Sequence, residues 1–341
     1  KLPRGIPCKR VSRKRGTVFR CCEWNQASTS TWNQRRTCKE VLVWNPCTNE
    51  RWRYSKPENT IYSDASQYSE VWSFWLNIRK AEFWITKIRI TGGEPLLRKG
   101  IYKLISKINN VKGIKEITIT TNAILLVGNV KKLKEAGVSR VNFSLDTLDS
   151  EKFKFISNTT LTIDYKALIE ELIEFKLTPI KINAVLLKGF NDSEIPGFIE
   201  LADKYDISVR FIELMTIGHL SFDYDKYYIS KADILKQYPS LKFFKKDNVS
   251  EYYNVKGNKG FIGFINPISH KFCSDCNRIR LTADGHLKPC LHNNNEILIK
   301  EVSGEPLLNK LREAINSKPI SHTLDESKDN RSNRPMNKIG G

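Results

Sequence analysis

Residues 85–122, ITKIRITGGEPLLRKGIYKLISKINNVKGIKEITITTN, set the fold class that this sequence predicts. Two strand-like runs, Ile85–Thr91 and Glu116–Thr121, flank a helical pattern at Leu96–Ile108. The same spacing returns downstream, with strands predicted at Arg140–Leu145, Ile180–Leu187 and Ser208–Leu214 and helices at Val130–Glu135, Tyr165–Phe175 and Ser193–Tyr205. Strand–helix alternation of this kind predicts an α/β fold with a parallel sheet and helices packed outside it.

Polar strings follow the predicted strands where each strand ends. They are Thr91–Pro95 (TGGEP), Thr120–Asn122 (TTN), Ser144–Asp146 (SLD) and Glu213–Met215 (ELM). In parallel α/β folds the ligand site lies at the carboxyl ends of the strands. Two glycines let a backbone approach a ligand closely, and Glu94 can accept hydrogen bonds from an amine or a hydroxyl. A pair of glycines alone fits an ordinary turn, but the complete TGGEP string favours a binding site.

The composition is strongly basic, with a formal net charge of +19 and a pI near 9.5, which predicts an anionic partner. Arg89, Lys181 and Arg210 lie within predicted strands. If their side chains point to the interior of a barrel they must meet anions, because an unpaired buried charge is costly. Each one alone fits a solvated strand end better, whereas all three together favour a polyanion pocket.

A second motif, Phe272–Cys290, reads FCSDCNRIRLTADGHLKPC and spaces three cysteines as C-x2-C-x13-C around a hairpin expected at Asp284-Gly285. Thiolates suit zinc or an iron–sulfur cluster. Zinc would need a histidine such as His270, His286 or His292. This stretch alone supports both metals equally. Arg278 and Arg280 share one strand face and indicate recognition of phosphate or of a purine edge.

Residues 1–84 differ from the rest of the chain, because they hold all seven tryptophans and five of the eight cysteines with poor periodicity. We rank a translation-frame error first, disorder second and a basic aromatic nucleic-acid arm third. Residues 85–216 are predicted to form the α/β domain and residues 217–341 an appended subdomain, with helices at Lys231–Gln237 and Leu307–Ile315. Taken alone, the closing Gly340-Gly341 is typical of a flexible tail.

No run of 18 apolar residues, no secretory signal and no disulfide framework is visible. We therefore expect a cytoplasmic protein with no membrane partner.

Taken together, TGGEPLLR, TTNAILL, VNFSLDTLD, RFIELM, the cysteine stretch and the closing GG resemble the radical S-adenosylmethionine GTP 3′,8-cyclases, the molybdenum cofactor biosynthesis protein A family. The resemblance runs from about Ile85 to Gly341. It implies an incomplete TIM-like (βα)6 barrel with a C-terminal iron–sulfur subdomain. It also implies a [4Fe–4S] cluster on Cys273, Cys276 and Cys290, with the open iron facing the guanine.

The resemblance also assigns roles to individual residues. It implies S-adenosylmethionine contacts at Gly93, Glu94, Ser144 and Met215, and GTP contacts at Arg89, Thr120, Lys181, Arg210, Arg278 and Arg280. It implies that Gly340 and Gly341 reach the active site as catalytic residues. Ala123 departs from the glycine that is usual in the family after TTN.

In this family a second [4Fe–4S] cluster cleaves S-adenosylmethionine, and the resulting radical drives cyclisation of GTP to 3′,8-cyclo-7,8-dihydroguanosine triphosphate. The product passes to a cyclic pyranopterin monophosphate synthase on the route to molybdopterin. A homodimer is an expected assembly, and a nucleic-acid partner is not.

The amino end departs from the family. No first strand, GTP-contacting arginine or C-x3-C-x2-C is visible among Cys8, Cys21, Cys22, Cys38 and Cys47. We therefore expect an exposed sheet edge and poor solubility. Two alternatives stay open: a GTP- and cluster-binding remnant without catalysis, and a basic nucleic-acid-binding protein with a structural zinc.

Overall fold

The computed structural model describes residues 40–45, 85–217, 223–247, 249–322 and Arg334; for residues 40–45 it gives the course of the backbone. The strands in this part of the chain are β1 (Glu40–Asn45), β2 (Lys87–Gly92), β3 (Glu116–Thr121), β4 (Arg140–Ser144), β5 (Lys181–Val185), β6 (Ser208–Ile212), β7 (Leu241–Asp247), β8 (Ser250–Val255), β9 (Phe261–Ile265), β10 (Arg278–Leu281), β11 (His286–Lys288) and β12 (Ile297–Leu298). They form a single sheet in the order β12-β11-β10-β1-β2-β3-β4-β5-β6-β9-β8-β7.

The helices of the described residues are α1 (Ile101–Asn109), α2 (Val130–Ala136), α3 (Ser150–Ser157), α4 (Tyr165–Glu174), α5 (Ile195–Tyr205), α6 (Tyr224–Tyr227), α7 (Lys231–Gln237) and α8 (Gly304–Asn316). None of these helices is long and apolar enough to cross a membrane.

The central part of the sheet is parallel, as the sequence predicts. Strands β1 to β6 pair in parallel with their neighbours, β9 adds to β6 in parallel, and β10 adds to β1 in parallel. Helices α1, α2, α4 and α5 connect these strands and pack one apolar face each on the sheet. The α/β prediction is confirmed.

Alternation along the parallel strands separates an apolar face from a polar one. Isoleucines such as Ile88, Ile117 and Ile182 are almost completely buried in the same core as the helix residues Ile105 and Leu168. Their neighbours on the opposite face of the strands are polar and still mostly buried: Arg89, Thr118, Asn142, Asn183 and Arg210. The strands therefore turn their apolar side to the helices and their polar side to the opposite, inner face of the sheet.

Between the parallel strands, two helical segments differ from the prediction. The segment expected as one helix over Leu96–Ile108 is a 3-10 turn at Pro95–Leu97 followed by α1, because Gly100 between them is left-handed with φ 78°. Helix α3 was not predicted, since none of its residues is buried and it shows no apolar periodicity. Its amino end is fixed by Asp149, whose side chain accepts from Glu151 N and Lys152 N at 2.9 Å each.

The prediction that no strand precedes residue 85 is wrong for residues 40–45. Strand β1 pairs with β2 over six residues, from Glu40 opposite Lys87 to Asn45 opposite Gly92. The expected exposed edge at β2 is therefore covered by β1. The other predictions for residues 1–84 lie outside the described residues.

The residues after 216 extend the same sheet. Strands β7, β8 and β9 form an antiparallel meander that joins through β9, and β10 to β12 form a second one that joins through β10. The hairpin expected at Asp284-Gly285 is present between β10 and β11, with Gly285 at φ 80°. The two additions bring the cysteine motif alongside the polar inner face, and the domain boundary at residue 216 stays a prediction.

Candidate active site

A cavity of about 330 Å³ lies between the carboxyl ends of the parallel strands and the cysteine motif. Most of the residues predicted from the sequence lie around it: Arg89, Gly93, Thr120, Ser144, Arg210, Met215, Cys273, Cys276, Arg278, Arg280 and Cys290. The carboxyl ends of parallel strands meet at one edge, which explains why strings far apart in sequence converge here.

One end of the cavity is formed by the carboxyl ends of the parallel strands and is called the strand end here. It is built on the TGGEP turn, Thr91–Pro95. Gly92 has φ 151°, a conformation that favours glycine, and Gly93 beyond it lines the cavity with its backbone exposed. Glu94 turns away from the cavity and is 1% exposed. Its carboxylate accepts from Leu96 N at 3.0 Å, Thr121 Oγ1 at 2.8 Å and Asn122 N at 2.7 Å. Glu94 therefore fixes the turn to the end of β3, and its contact with S-adenosylmethionine stays a prediction.

Ser144 and Met215 complete the strand end. Ser144 is the last residue of β4 and is half-buried against the cavity. Met215 follows β6 and packs with Ile217, Ile268 and Leu291. The methionine thus connects the strand end to the segment just after Cys290.

Several buried polar atoms at the cavity have no hydrogen-bond partner among the described residues: Thr120 Oγ1, Asn183 Oδ1, Arg210 Nε and His292 Nε2. Leaving such a group without a partner costs about 1–3 kcal/mol. Native structures rarely leave buried polar atoms unsatisfied, so this cluster indicates a ligand rich in hydrogen-bond donors and acceptors.

Lys181 lies beside the cavity wall rather than on it. Its ammonium donates to Tyr252 Oη at 3.2 Å and lies 3.9 Å from Asp247. Burial, together with the positive charges of Arg210 and Arg140, lowers the pKa of Lys181 to about 7. Burial also lowers the pKa of Arg210 to about 10. Positive charges crowded at low exposure favour a polyanionic ligand.

The cysteine end of the cavity carries three free thiols. Cys273 begins a 3-10 turn that ends at Asp275, Cys276 directly follows this turn, and Cys290 follows β11. Although burial raises the pKa of the Cys276 thiol, the positive charge of Lys318 and, less strongly, of the two arginines holds it below its usual value. The thiolate form, which ligates metals, is thereby favoured.

The geometry fits a cluster better than a single zinc ion. Only His292 of the three candidate histidines lines the cavity, whereas His270 lies 3.6 Å from Glu251 and His286 lies 3.3 Å from Asp284. Among the residues described, no three cysteine, histidine or acidic side chains converge closely enough to hold one metal ion. An iron–sulfur cluster takes its thiolates on separate irons, so its ligands need not converge on a point. The three thiols on one cavity wall fit such a group.

At the strand end, the described residues offer no cysteine for a second cluster. Cys273, Cys276 and Cys290 are the cysteines of the described residues, and all three lie at the opposite end of the cavity. The five cysteines of residues 1–84 show no C-x3-C-x2-C spacing. This chain therefore offers no recognisable ligand set for the cluster that cleaves S-adenosylmethionine in the family.

Sequence reasoning missed Asn183 and Lys318, which line the cavity, and it named Asp146 only within the SLD string and His292 only as a possible zinc ligand. Asn183 shares the polar face of β5 with Lys181, so alternation could have found it. Asp146 accepts from Val185 N at 2.8 Å, and burial raises its pKa. Lys318 lies beyond α8, and no sequence pattern links it to the cysteines.

Gly340 and Gly341 lie outside the described residues. The nearest described residue, Arg334, donates to Asp284 at 2.8 Å and to Glu296 at 2.6 Å. These bonds hold the chain against the β10–β12 meander, which also carries Cys290. The predicted role of the two glycines stays a prediction.

Two family models match this chain. The Radical SAM superfamily matches residues 76–202, and Molybdenum Cofactor Synthesis C matches residues 207–324. The polar inner face of the parallel sheet and the adjoining cysteine motif lie within these two matches. The fold and the site therefore define a protein of the radical S-adenosylmethionine class.

Its relatives define the family more narrowly. The GTP 3′,8-cyclase of Clostridium botulinum (strain Hall) is 46% identical over 261 residues, which are 75% of this chain and 82% of the relative. That of Syntrophomonas wolfei is 39% identical over 309 residues, covering 86% of this chain and 94% of the relative. The chain belongs to the GTP 3′,8-cyclase family.

The longer alignment also bears on residues 1–84. Residues 85–341 are 257 of 341 residues, or about 75% of the chain, so a match covering 86% extends upstream of residue 85. The choice among a frame error, disorder and a nucleic-acid arm for residues 1–84 stays a prediction.

Among solved structures, SuiB of Streptococcus suis bound to S-adenosylmethionine resembles this chain with a TM-score of 0.50 and 17% identity. The match covers 81% of this chain and 68% of that one. It supports the fold alone, and with the family models it confirms the predicted incomplete TIM-like α/β architecture.

Proposed function

We propose that the protein binds GTP and S-adenosylmethionine together in this cavity as a GTP 3′,8-cyclase of molybdenum cofactor biosynthesis. The reaction is the conversion of GTP, with S-adenosylmethionine, to 3′,8-cyclo-7,8-dihydroguanosine triphosphate. The observation that carries the proposal is the group of unsatisfied polar atoms, Thr120 Oγ1, Asn183 Oδ1, Arg210 Nε and His292 Nε2, on the wall of one basic cavity.

GTP supplies what these groups require. Its triphosphate is a polyanion for Arg210 and Lys181, and its base and sugar carry donors and acceptors for hydroxyl and amide groups. Arg89 and Thr120 lie on neighbouring strands, and Arg278 and Arg280 face them from β10. Because these cations are already held in place by the fold, they orient a substrate and need not move during the reaction.

S-adenosylmethionine is assigned to the strand end. The exposed backbone of Gly93, the Ser144 hydroxyl and the Met215 side chain lie around that part of the cavity. Glu94 acts there as the group that holds the Gly93 backbone in place. These residues bind and orient the molecule.

Cys273, Cys276 and Cys290 would hold a [4Fe–4S] cluster, which supplies when bound one iron without a protein ligand, open to the guanine. The three thiolates would hold this group on one wall of the cavity. We assign Gly340 and Gly341 to the same cavity, because a backbone segment without side chains can approach the substrate closely.

A second candidate function is favoured by the missing C-x3-C-x2-C set. In it the protein binds GTP and one cluster but does not cleave S-adenosylmethionine. Both candidate functions use the same cavity. They differ in whether the protein cleaves S-adenosylmethionine reductively.

Two measurements on the full chain, reconstituted anaerobically with iron and sulfide, test the proposal. Calorimetric titration with GTP is expected to give micromolar or tighter binding that Arg210→Ala weakens. Formation of 5′-deoxyadenosine under strong reductant would rule out the second candidate, and GTP-dependent formation of the cyclised product would establish the cyclase function; GTP binding without 5′-deoxyadenosine would establish the second candidate. A chain that does not bind GTP would contradict both.

The remaining assignments follow from the family resemblance. The product passes to a cyclic pyranopterin monophosphate synthase, the chain pairs as a homodimer, and both proteins act in the cytoplasm.

A further inference from the structure

Lys318 is a buried cation in contact with the cysteine motif. It lies two residues beyond α8 and is 9% exposed. Its Nζ donates to Arg278 O at 2.7 Å and to Pro289 O at 3.0 Å, and it lies 3.6 Å from Cys276 Sγ. An ammonium group has three N–H bonds, so these acceptors account for all of them.

The two carbonyls belong to different cysteine segments. Arg278 follows Cys276 by two residues, and Pro289 directly precedes Cys290. The β10–β11 ladder pairs Arg280 with Lys288 and Leu281 with Leu287, and it ends there. Lys318 therefore bridges the two segments beyond the last ladder pair, at the point where the cysteines leave the hairpin.

Among the described residues, no aspartate or glutamate lies within ion-pair distance of the Lys318 ammonium, whereas the ammonium of Lys288, which is also buried, lies 3.2 Å from Glu296. A buried charge is stable only when it is compensated. The Cys276 thiol, whose sulfur lies 3.6 Å from the ammonium, is a group beside Lys318 that can carry negative charge.

We propose that Lys318 is a positioning residue of the cysteine site, which fixes the Cys276 and Cys290 segments relative to each other and supplies the positive charge that a thiolate-bound cluster requires. The inference rests on the proposed function, because it assumes that these cysteines bind a cluster. A fixed positive charge stabilises the more negative reduced state, so Lys318 raises the reduction potential of the cluster.

The test compares Lys318→Met and Lys318→Arg in the full chain after anaerobic reconstitution. Lys310→Met is the matched control, because Lys310 is on α8 and donates to one carbonyl, Leu298 O at 2.6 Å. Iron and sulfide per chain report occupancy. A redox titration followed by electron paramagnetic resonance reports the potential of the loaded fraction. Lys318→Gln replaces Lys318→Met if the methionine variant does not fold.

We expect Lys318→Met to retain severalfold less iron and its remaining cluster to have a lower potential, with Lys318→Arg returning the potential toward the wild-type value. Lys310→Met is expected to match the wild type in both measurements. A loaded Lys318→Met cluster with the wild-type potential would overturn the inference and leave the proposed function intact. A wild-type chain that loads no iron would overturn both.

Discussion

The two ends of the cavity differ in the chemistry that they offer. The strand end presents an exposed glycine backbone, hydroxyls and amides, and no cysteine among the described residues. The cysteine end presents three thiols surrounded by Lys318, Arg278 and Arg280. In this family both ends are expected to face a cluster, and among the described residues of this chain only the cysteine end carries cysteines.

We therefore assign substrate binding and radical formation to separate parts of the chain. The cations and polar atoms that suit GTP come from β2 to β6 and β10, all of which are well packed in the core. The ligands of the radical-forming cluster would come from the loop after β1. A chain can therefore keep the first function while its second is in doubt.

The largest expected effect concerns the thiols at the cysteine end of the cavity, which are expected to hold the bound iron. Cys276→Ser removes one of three ligands and is expected to abolish nearly all bound iron after reconstitution, because the remaining two thiolates cannot hold a cluster. Cys47→Ser, in the amino-terminal segment, is the matched control and is expected to leave the iron content unchanged. Iron loss from the Cys47 variant would show that the amino-terminal cysteines hold metal.

The next effect concerns the polar wall that the two ends share. Arg210→Ala removes a buried guanidinium and is expected to weaken GTP binding by about 2–3 kcal/mol, or roughly 30- to 150-fold, since hydrogen bonds to charged groups contribute this much. Calorimetric titration measures the change. Arg312→Ala is the control, because its ion pair with Glu305 is exposed. Equal affinities for the two variants would place the triphosphate elsewhere.

A smaller effect follows from the pKa of Lys181, about 7 in the folded chain. Below this pH the lysine is charged and binds phosphate, and above it binding requires proton uptake, so GTP affinity is expected to fall by up to about tenfold per pH unit above pH 7. Titrations at pH 7, 8 and 9 measure the slope. In Lys181→Arg, where the charge persists, a slope as steep as that of the wild type would refute the assignment.

The same shift has the opposite consequence for stability without ligand. The unfolded chain binds the extra proton above pH 7, so the free energy of unfolding is expected to rise with pH from about 7 toward the usual lysine pKa of 10.5.

The smallest effect concerns Asp247, whose carboxylate lies 3.9 Å from Lys181 and is half-exposed. Asp247→Asn removes a negative charge that competes with phosphate, and it is expected to tighten GTP binding by about 0.5 kcal/mol, or twofold. A weaker binding of GTP by this variant would mean that Asp247 orients Lys181 rather than competing with the substrate.

Sequence reasoning could reach the parts of the site that depend on local patterns. The spacing of apolar and polar residues predicted where the strands lie. The rule that ligands bind at the carboxyl ends of parallel strands then placed Gly93, Thr120 and Ser144 at one site. It could not find Lys318, because a lysine beyond a helix reaches the cysteines only through tertiary packing. It missed β1 because Glu40–Asn45 has no clear alternation and becomes a strand between β2 and β10. It also missed that β10 pairs in parallel with a strand more than 200 residues earlier.

Iron, acid-labile sulfide and zinc per wild-type chain, measured after anaerobic reconstitution, test most directly that the two ends differ. About four irons and four sulfides per chain are expected, which correspond to one [4Fe–4S] cluster at the cysteine end. About eight irons would mean that the strand end also holds a cluster and that the contrast between the ends is wrong. Zinc without iron would contradict the cluster assignment itself.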